Sequence, residues 1–446
     1  MPSLRESIGP QMSTAPQTNQ PHETKLSRKG RKALLAGAVG NTVEWVDWAI
    51  YTTFSSVFAV HFFPAGDPAV ALLSTLAVFA VGFIMRPIGA AVLGNFTDRH
   101  GRKKGMALTI GLMAGASAII AITPDYSMIG IFAPIILVLA RMLQGFSAGG
   151  EFGASSAFMV EAAAPQRRAF AGSWQQVSVG AGSLLAAGIG AVITSALDSE
   201  ALDSWGWRLA FALGALLGLF GLWLRSNVAE SESFEAVKAA KPTDEPKRSY
   251  LAMFTQHPGA VARVFGITIA GTLLYYIWVS YLPTYAHVAT GLPLNQALTA
   301  NFMAIAYFIC ALPFVGLLSD KIGRKPTMSA FAAGFLVLAF PLLNFLDNNF
   351  WIFLIVELIG MTLLLGYSAN CAVIMAEQFP PEVRATGIGL PYALAVAIFG
   401  GTAPYIITWM NDMGAGDKVW IYCAVAAAIG LAVYLTMPET KGKKLG

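Results

Sequence analysis

The sequence predicts an all-α membrane protein with twelve transmembrane helices in two pseudo-symmetric six-helix bundles. Hydrophobic residues make up 56% of the chain and charged residues only 12%, with a mean hydropathy of +0.60. This composition is too apolar for a soluble globular protein. The loop GNFTDRHGRKKGM at residues 94–106 returns as GLLSDKIGRKPTM at residues 316–328. The chain therefore contains two related halves, as many secondary transporters do.

Twelve apolar segments are each long enough to cross a bilayer, which takes about twenty helical residues. We number them spans 1 to 12, and they cover residues 34–60, 70–97, 104–123, 129–160, 168–195, 206–225, 261–286, 296–318, 327–345, 350–377, 385–410 and 418–437. The expected organisation is a tail, a six-helix bundle, a polar linker, a second six-helix bundle and a tail, at residues 1–32, 33–225, 226–260, 261–437 and 438–446.

Lysine and arginine residues are sorted to one side of these spans. Most of the 29 basic residues precede span 1 or follow spans 2, 4, 6, 8, 10 and 12, whereas the opposite loops carry mainly acidic residues. We call the two sides the basic face and the acidic face. Because basic residues accumulate on the cytoplasmic side, we expect a multi-pass protein of the cell membrane with both termini in the cytoplasm.

Five motifs accompany the repeated loops: GNTVEWVDW at 40–48, MRPIG at 85–89, RMLQGFSAGGE at 141–151, WGWR at 205–208 and FGGT at 399–402. Together they make the chain resemble the major facilitator superfamily and, within it, the metabolite:proton symporters, with the 2-oxoglutarate permeases as the most similar group. Thr97 and Trp48 replace the usual Ala and Phe. The resemblance implies alternating access, with spans 1, 4, 7 and 10 lining the cavity.

The repeated loops are predicted to act as a latch that shuts the basic face. Each contains an aspartate near a helix end followed by Gly-Arg, and each is followed by a second repeated stretch with a glutamate and an arginine. Such groups can pair across the two bundles when this face closes. The predicted latch residues are Asp98, Arg99, Gly101, Arg102, Glu161, Arg168, Asp320, Gly323, Arg324, Glu377 and Arg384. The alternative is that these charges only set the topology.

Charged residues within the spans are the main candidates for function. A charge at a helix centre costs at least about 2.5 to 3.5 kcal/mol on insertion scales, so it usually marks a pathway or an internal pair. Asp47, Glu44 and Glu151 are the candidate proton carriers, and the alternative for each is a hydrogen bond between helices. Arg86 is the candidate anchor for a substrate carboxylate, because a guanidinium group binds carboxylate with two hydrogen bonds.

The alternative for Arg86 is a fixed internal pair with Asp47. The other predicted substrate-binding groups are polar and aromatic side chains near mid-depth, namely Tyr51, Arg141, Gln144, Tyr275, Tyr276, Trp278, Tyr367 and Asn370. Arg208, beside two tryptophans, is interpreted either as an interfacial anchor or as a charge that steers the substrate.

A dianionic substrate would need cotransported protons. Bringing two negative charges into a negative-inside cell costs roughly 4.6 kcal/mol per 100 mV, and two protons cancel this cost. The resemblance favours an organic acid such as 2-oxoglutarate, with the proton as the coupling ion and no cofactor. Alternatives are citrate, shikimate, or a zwitterionic osmolyte such as proline or glycine betaine, which would use Trp45, Trp48 or Tyr276 as a cation–π face.

Other classes of protein are disfavoured. Cys310, Cys371 and Cys423 lack CxxC spacing, which argues against disulfides and against a metal site. The sequence contains no cluster of nucleophile, base or metal ligands typical of an enzyme, and its basic residues do not form one patch suited to nucleic acid. We expect a monomer in the lipid bilayer whose partners are a small-molecule substrate and the proton.

Overall fold

The computed structural model describes residues 28–63, 66–100, 102–149, 151–161, 163–226, 255–380 and 383–443, and its regular elements in these ranges are all helices. In the N-terminal half the spans are Arg28–Phe62, Pro68–His100, Arg102–Ile122, Phe132–Ala148 with Glu151–Glu161, Arg168–Ala196 and Trp207–Ser226. In the C-terminal half they are Pro258–Tyr275 with Leu282–Thr290, Leu294–Ile322, Arg324–Asn344, Phe350–Ser368 with Cys371–Ala376, Arg384–Ala395 with Ala403–Asp412, and Val419–Thr436. Short helices at Tyr126–Ile129 and Ser199–Ala201 lie between spans.

These helices follow the twelve predicted spans in order, and the predicted fold class is confirmed. Among the described residues, nine helical stretches are long and apolar enough to cross a membrane. Spans 3 and 4 contain the shorter apolar helices Ala107–Ile122 and Phe132–Ala148. The helix of span 1 begins at Arg28, and most of the predicted N-terminal tail and linker lies outside the described residues.

Spans 7, 10 and 11 each cross as one helical stretch but contain a local departure from regular α-helix. Spans 7 and 11 are interrupted by π-helical turns at Tyr276–Tyr281 and Val396–Gly400. The second residue of the helix that follows each turn is a proline, Pro283 or Pro404, and proline cannot donate the backbone hydrogen bond of a regular helix. Span 10 breaks at Asn370, whose side chain donates to the carbonyl oxygen of Gly366 at 2.8 Å. Local hydrogen bonds of this kind compete with the helix.

The two halves contact each other near both faces. Span 5 packs along span 8, span 2 along span 11, and span 4 against spans 10 and 11. Towards the acidic face, Thr284 donates a hydrogen bond of 3.2 Å to the carbonyl oxygen of Thr52. Towards the basic face, the rings of Phe152 and Tyr392 stack with their centroids 3.8 Å apart. Residues at mid-depth are therefore enclosed between the halves.

Candidate functional site

Two buried arginines lie against one tryptophan at the centre of the N-terminal half. Arg86 of span 2 and Arg141 of span 4 each place the guanidinium carbon 4.2 Å from the ring centroid of Trp48 in span 1. Arg141 also lies 4.2 Å from the ring of Tyr51, and Arg86 lies 4.3 Å from the ring of Phe83. Aromatic faces attract cations, most strongly when water is excluded. The rings thus hold two positive charges at membrane depth.

Both guanidinium groups retain unused hydrogen-bond donors. Within the described part of the chain, Nε and Nη2 of Arg86 and of Arg141 have no acceptor. The ion pairs found among the described residues do not include either arginine. Buried donors without acceptors are costly. This arrangement is suited to an anion with several acceptor oxygens.

Close packing of spans 2 and 4 fixes the position of these arginines. A Cβ atom added at Gly89 would lie 1.8 Å from the carbonyl oxygen of Phe146, and one at Gly145 would lie 1.7 Å from that of Gly82. Only glycine permits this approach of two backbones, as in other tightly packed membrane helices. Arg86 and Arg141 therefore project from helices in direct backbone contact.

A chain of hydrogen bonds joins Arg141 to Asp47. Nη1 of Arg141 donates to Oε1 of Gln144 at 2.6 Å, and Nε2 of Gln144 donates to the hydroxyl of Ser117 at 3.0 Å. The hydroxyl of Ser117 donates in turn to Oδ1 of Asp47. All four side chains are buried. The Asp47 carboxyl is thus linked to a guanidinium group that has unused hydrogen-bond donors.

A small cavity borders Asp47 on its other side. Its volume is about 10 Å³, and it is lined by Glu44, Asp47, Ser117 and Ser147, with Gly214 of span 6 opposite. A cavity of this volume holds about one water molecule. Glu44 is half-buried, so it connects this cavity with less buried surroundings. The two candidate proton carriers of span 1 therefore meet at one polar cavity.

The C-terminal half covers the arginines with aromatic rings. The ring of Tyr276 lies 5.1 Å from that of Phe83 and 6.2 Å from that of Trp45, and the ring of Tyr275 lies 6.3 Å from Trp45. Tyr276 begins the π-helical turn of span 7. The hydroxyl of Tyr275 lies near Ser183 and that of Tyr276 near Arg86, although neither forms a hydrogen bond of normal geometry with a described residue. They are available at the interface between the halves.

Three predicted substrate-binding residues lie elsewhere in the C-terminal half. The ring of Trp278 packs against that of Phe335, with their centroids 4.8 Å apart. Trp278 points away from the interface because Tyr276, two residues earlier, faces it, and residues two apart on a helix do not share a side. Tyr367 packs against Phe331 at 5.6 Å. Asn370 donates to the hydroxyl of Thr327 at 3.0 Å and lies close to the basic face.

Predicted latch residues make contacts between the halves at the basic face. Nη1 of Arg384 donates to Oε1 of Glu161 at 2.5 Å. The carboxylate of Asp320 accepts hydrogen bonds of 3.0 Å from the backbone N–H groups of Ala169 and Phe170. These contacts require the two halves to be together at this face.

The C-terminal latch residues also contact one another and the C-terminal tail. Arg324 pairs with Asp320 at 3.0 Å and with Glu377 at 3.4 Å, and Arg168 donates to the carbonyl oxygen of Lys443 at 2.6 Å. Gly323 has a φ of 110°, a conformation that glycine adopts readily.

Some predicted site residues lie outside the described residues. They are Gly101 and the side chains of Asp98, Arg99, Arg102 and Glu151.

Arg208 lies away from the mid-depth site, at the acidic face. It forms an ion pair with Asp125 and donates to the carbonyl oxygen of Thr123 at 2.5 Å. His61 contacts Asp125 at 3.1 Å and Asp203 at 3.2 Å. These contacts tie spans 1 and 6 to the loop between spans 3 and 4.

Sequence reasoning did not select Ser117, Phe83 or Glu357 as site residues. A serine in an apolar helix is ordinary, so nothing in the sequence marks Ser117 as the partner of Asp47. Phe83 lies three residues before Arg86 and therefore on the same side of span 2, which is a usable but weak signal. Glu357 was visible as a charge in span 10 and is buried completely.

Membrane-spanning helices in two related halves, with buried charged side chains at mid-depth, are the organisation of many secondary transporters. The family model for the Major Facilitator Superfamily matches residues 37–404 and 297–445, and the chain belongs to that superfamily. It is a multi-pass membrane transporter and not an enzyme.

Three transporters of known name illustrate the relationship. The alpha-ketoglutarate permease of Escherichia coli (strain K12) is 38% identical over 413 residues, which is 92% of this chain and 94% of that protein. The citrate-proton symporter of Klebsiella pneumoniae is 33% identical over 416 residues, which is 90% of this chain and 91% of that protein. The glycine betaine/proline/ectoine/pipecolic acid transporter OusA of Dickeya dadantii (strain 3937) is 32% identical, covering 93% and 84%.

Solved structures agree with the fold. The xylose transporter XylE from E. coli, in a partially occluded inward-open conformation, superposes with a TM-score of 0.73 over 93% of this chain and 99% of that chain. The two sequences are 20% identical. The likeness therefore concerns the fold alone.

Proposed function

We propose that this protein is a proton-coupled symporter that imports a small dicarboxylate such as 2-oxoglutarate by alternating access. The observation that carries the proposal is the pair of buried arginines against Trp48, whose Nε and Nη2 donors have no acceptor among the described residues. We further propose a location in the inner membrane, with the basic face and both termini in the cytoplasm, since basic residues accumulate on that side.

The arginine pair offers the chemistry that a dicarboxylate needs. Each guanidinium group can bind one carboxylate through two parallel hydrogen bonds. The aromatic rings beneath Arg86 and Arg141 exclude water, which strengthens these interactions. The hydroxyl of Tyr276, on the opposite half, can close over the bound anion.

Asp47 is the proposed proton carrier in the N-terminal half. When Asp47 is ionised, it balances the charge of Arg141 through the Gln144–Ser117 chain. When a substrate carboxylate takes over this balance, the negative charges repel each other and protonation of Asp47 relieves the repulsion. Substrate and proton would then bind together, and Glu44 beside the small cavity would serve as the next group along the proton's path.

Alternating access would break the contacts at one face and preserve those at the other. The bonds from Arg384 to Glu161 and from Asp320 to span 5 hold the basic face shut. Opening of that face separates these pairs and releases the substrate into the cytoplasm. Two relatives support the substrate class, since their names specify transport of alpha-ketoglutarate and proton symport of citrate.

A zwitterionic osmolyte is the second candidate. The rings of Trp45, Tyr275 and Tyr276 form an aromatic surface to which a quaternary ammonium group could bind, and the OusA transporter named above is a relative of this kind. Against it, such a cation would approach the guanidinium group of Arg86, 5.6 Å from the Trp45 ring. The repulsion between like charges favours the dicarboxylate.

Uptake into proteoliposomes tests the proposal. The purified protein is reconstituted, an inward proton gradient is imposed, and entry of labelled 2-oxoglutarate is measured with unlabelled citrate, succinate, shikimate, proline or betaine as competitors. We expect uptake that an uncoupler abolishes and that dicarboxylates inhibit. Uptake of proline or betaine with no uptake of any dicarboxylate would refute the dicarboxylate proposal and favour an osmolyte as the substrate.

Arg86→Lys is the decisive variant because lysine keeps the charge but lacks the two-bond geometry. We expect its uptake efficiency to fall roughly 10- to 100-fold, the effect of losing one hydrogen bond to a charged group. Arg208→Lys is the matched control, since Arg208 lies at the acidic face. Equal losses in both variants would argue against an anion site at Arg86.

A further inference from the structure

A second buried carboxyl group lies in the C-terminal half, far along the chain from Asp47. Glu357 of span 10 is 0% exposed. Its Oε1 accepts a hydrogen bond of 3.1 Å from Nδ2 of Asn301 in span 8. Its Oε2 has no hydrogen-bond partner in the part of the chain that the structure describes. One carboxylate oxygen is thus left without a donor inside the membrane.

No cation among the described residues accompanies Glu357. Its hydrogen-bond partner among these residues is the neutral amide of Asn301. In the spans packed against the helix Phe350–Ser368, which carries Glu357, the charged and histidine residues lie towards the helix ends, namely Arg263 and His287 in span 7, Asp320 and Lys321 in span 8, and Arg324 and Lys325 in span 9. An ionised carboxylate without a cation is very costly in such surroundings. The geometry accommodates the neutral acid instead.

Glu357 is coupled by packing to the element that covers the substrate site. Gly360 follows it by one helical turn, and a Cβ atom at Gly360 would lie 1.9 Å from Nε1 of Trp278. Trp278 belongs to the π-helical turn Tyr276–Tyr281, whose first residue faces the arginine pair. Turns of this type often occur at functional sites. A shift of this turn would move the surroundings of Glu357 and the ring of Tyr276 together.

We propose that Glu357 is a second proton carrier, which with Asp47 brings two protons across with each dianion. This inference rests on the proposed dicarboxylate symport. A carboxylate oxygen of Glu357 takes a proton from solution when its surroundings open towards the acidic face, and the neutral acid crosses the occluded state. The proton returns to solution when the basic face opens. Two protons and one dianion together carry no net charge.

The test measures the proton-to-substrate ratio and its response to voltage. Wild-type protein and Glu357→Gln are reconstituted in proteoliposomes, with the membrane potential set by a potassium gradient and valinomycin. We expect a ratio of about two in the wild type, with accumulation that is insensitive to potential. In Glu357→Gln we expect a ratio of about one and an accumulation roughly 50-fold lower at an inside-negative potential of about 100 mV.

Matched variants separate a proton carrier from a structural residue. Glu357→Asp keeps an ionisable group and should keep the ratio of the wild type, whereas Glu200→Gln removes an exposed glutamate and should change nothing. Exchange of labelled for unlabelled substrate shows whether each variant is folded. A wild-type ratio of one refutes the proposal without any variant, because it leaves no second proton to carry.

The possible failures are distinguishable. Absence of any dicarboxylate uptake by the wild type refutes the proposed function. Uptake by the wild type with a ratio of one, or a ratio in Glu357→Gln equal to a wild-type value of two, refutes only the role of Glu357.

Discussion

The carboxylate of Asp320, at the basic end of span 8, lies 3.0 Å from the backbone nitrogen of Phe170 in the first turn of span 5. The second carboxylate oxygen accepts from the preceding residue at the same distance. The first turn of a helix has unused N–H donors and a partial positive charge. A side chain of one half therefore caps a helix of the other half, and this cap exists only while the basic face is closed.

Asp320→Asn should weaken this closure. The variant retains the size of the side chain but loses its charge and one of its two acceptors, so the cap should lose about 1 kcal/mol. Hydrogen exchange at the amides of residues 169 and 170 should accelerate roughly fivefold, as mass spectrometry can measure. Asp347→Asn, in a loop at the acidic face, is the control. Unchanged exchange in Asp320→Asn would show that the cap does not hold this face.

Asp47→Asn should separate exchange from accumulation. Asparagine can still hydrogen-bond to Ser117, but it cannot carry a proton. We expect exchange of labelled for unlabelled dicarboxylate to continue, while accumulation driven by a proton gradient falls roughly tenfold per pH unit for the lost proton. Ser117→Ala keeps the carboxyl group and should still accumulate substrate. Full accumulation by Asp47→Asn would exclude this residue as a carrier.

Gly214→Ala should obstruct the small cavity beside Asp47. The added Cβ would lie 3.3 Å from Cδ1 of Ile50 and 3.7 Å from Oδ1 of Asp47, so it fits with a slight adjustment of Ile50. We expect proton-driven uptake to slow by roughly threefold to tenfold, the effect of displacing one ordered water, with exchange little changed. Gly221→Ala in the same span is the matched control, because its Cβ would meet Val43 at an ordinary 3.5 Å. Equal rates in the two variants would contradict a role for the cavity.

Glu439 gives the C-terminal tail a defined dependence on pH. Its carboxylate accepts backbone hydrogen bonds of 3.0 Å from Arg324 and Lys325, which begin span 9, and others from Thr440 and Lys441. Burial alone would raise the pKa of Glu439, but these four donors stabilise the charged form and hold the pKa below its usual value. Because the pKa is lower when the tail is attached to span 9, the charged form of Glu439 stabilises this attachment at any pH above the ordinary titration range of glutamate.

The attachment should therefore stay constant from neutral pH down to about 4.5 and weaken only as the pH falls through the lowered pKa of Glu439. The measurement is the exchange protection of the Arg324 and Lys325 amides, corrected for intrinsic rates at each pH. Glu439→Gln should reduce this protection about fivefold at neutral pH, as the loss of a helix cap does. A decline in the wild type between neutral pH and pH 5 would contradict this assignment.

The sequence was sufficient for the fold but only for part of the site. Asp47, Arg86 and Arg141 could be found because a charge in an apolar segment is costly and therefore conspicuous. Trp48 belongs to a recognisable motif, yet its position between two guanidinium groups depends on how spans 1, 2 and 4 pack. Such packing is a tertiary property that no local pattern contains.

Span 10 shows a different limit. Its apolar run predicts one helix, and on a continuous helix Tyr367 and Asn370 would be expected to line the cavity. The break at Asn370 turns that side chain towards Thr327 and the basic face. Hydropathy does not report where a backbone group finds a side-chain partner, so this change of direction could not be predicted.

The backbone contact between spans 2 and 4 determines how the proposed anion site would discriminate between ligands. At the crossing formed by Gly82, Gly89 and Gly145, no side chain separates the two helices. The distance between the Cα atoms of Arg86 and Arg141 therefore stays constant when the N-terminal half moves as a unit. A diacid then fits best when the distance between its two carboxylates matches the fixed spacing of the two arginines. Selection among diacids of different chain length would follow from this rigid spacing, and a change of preference would have to come from residues of the facing half, above all Tyr276.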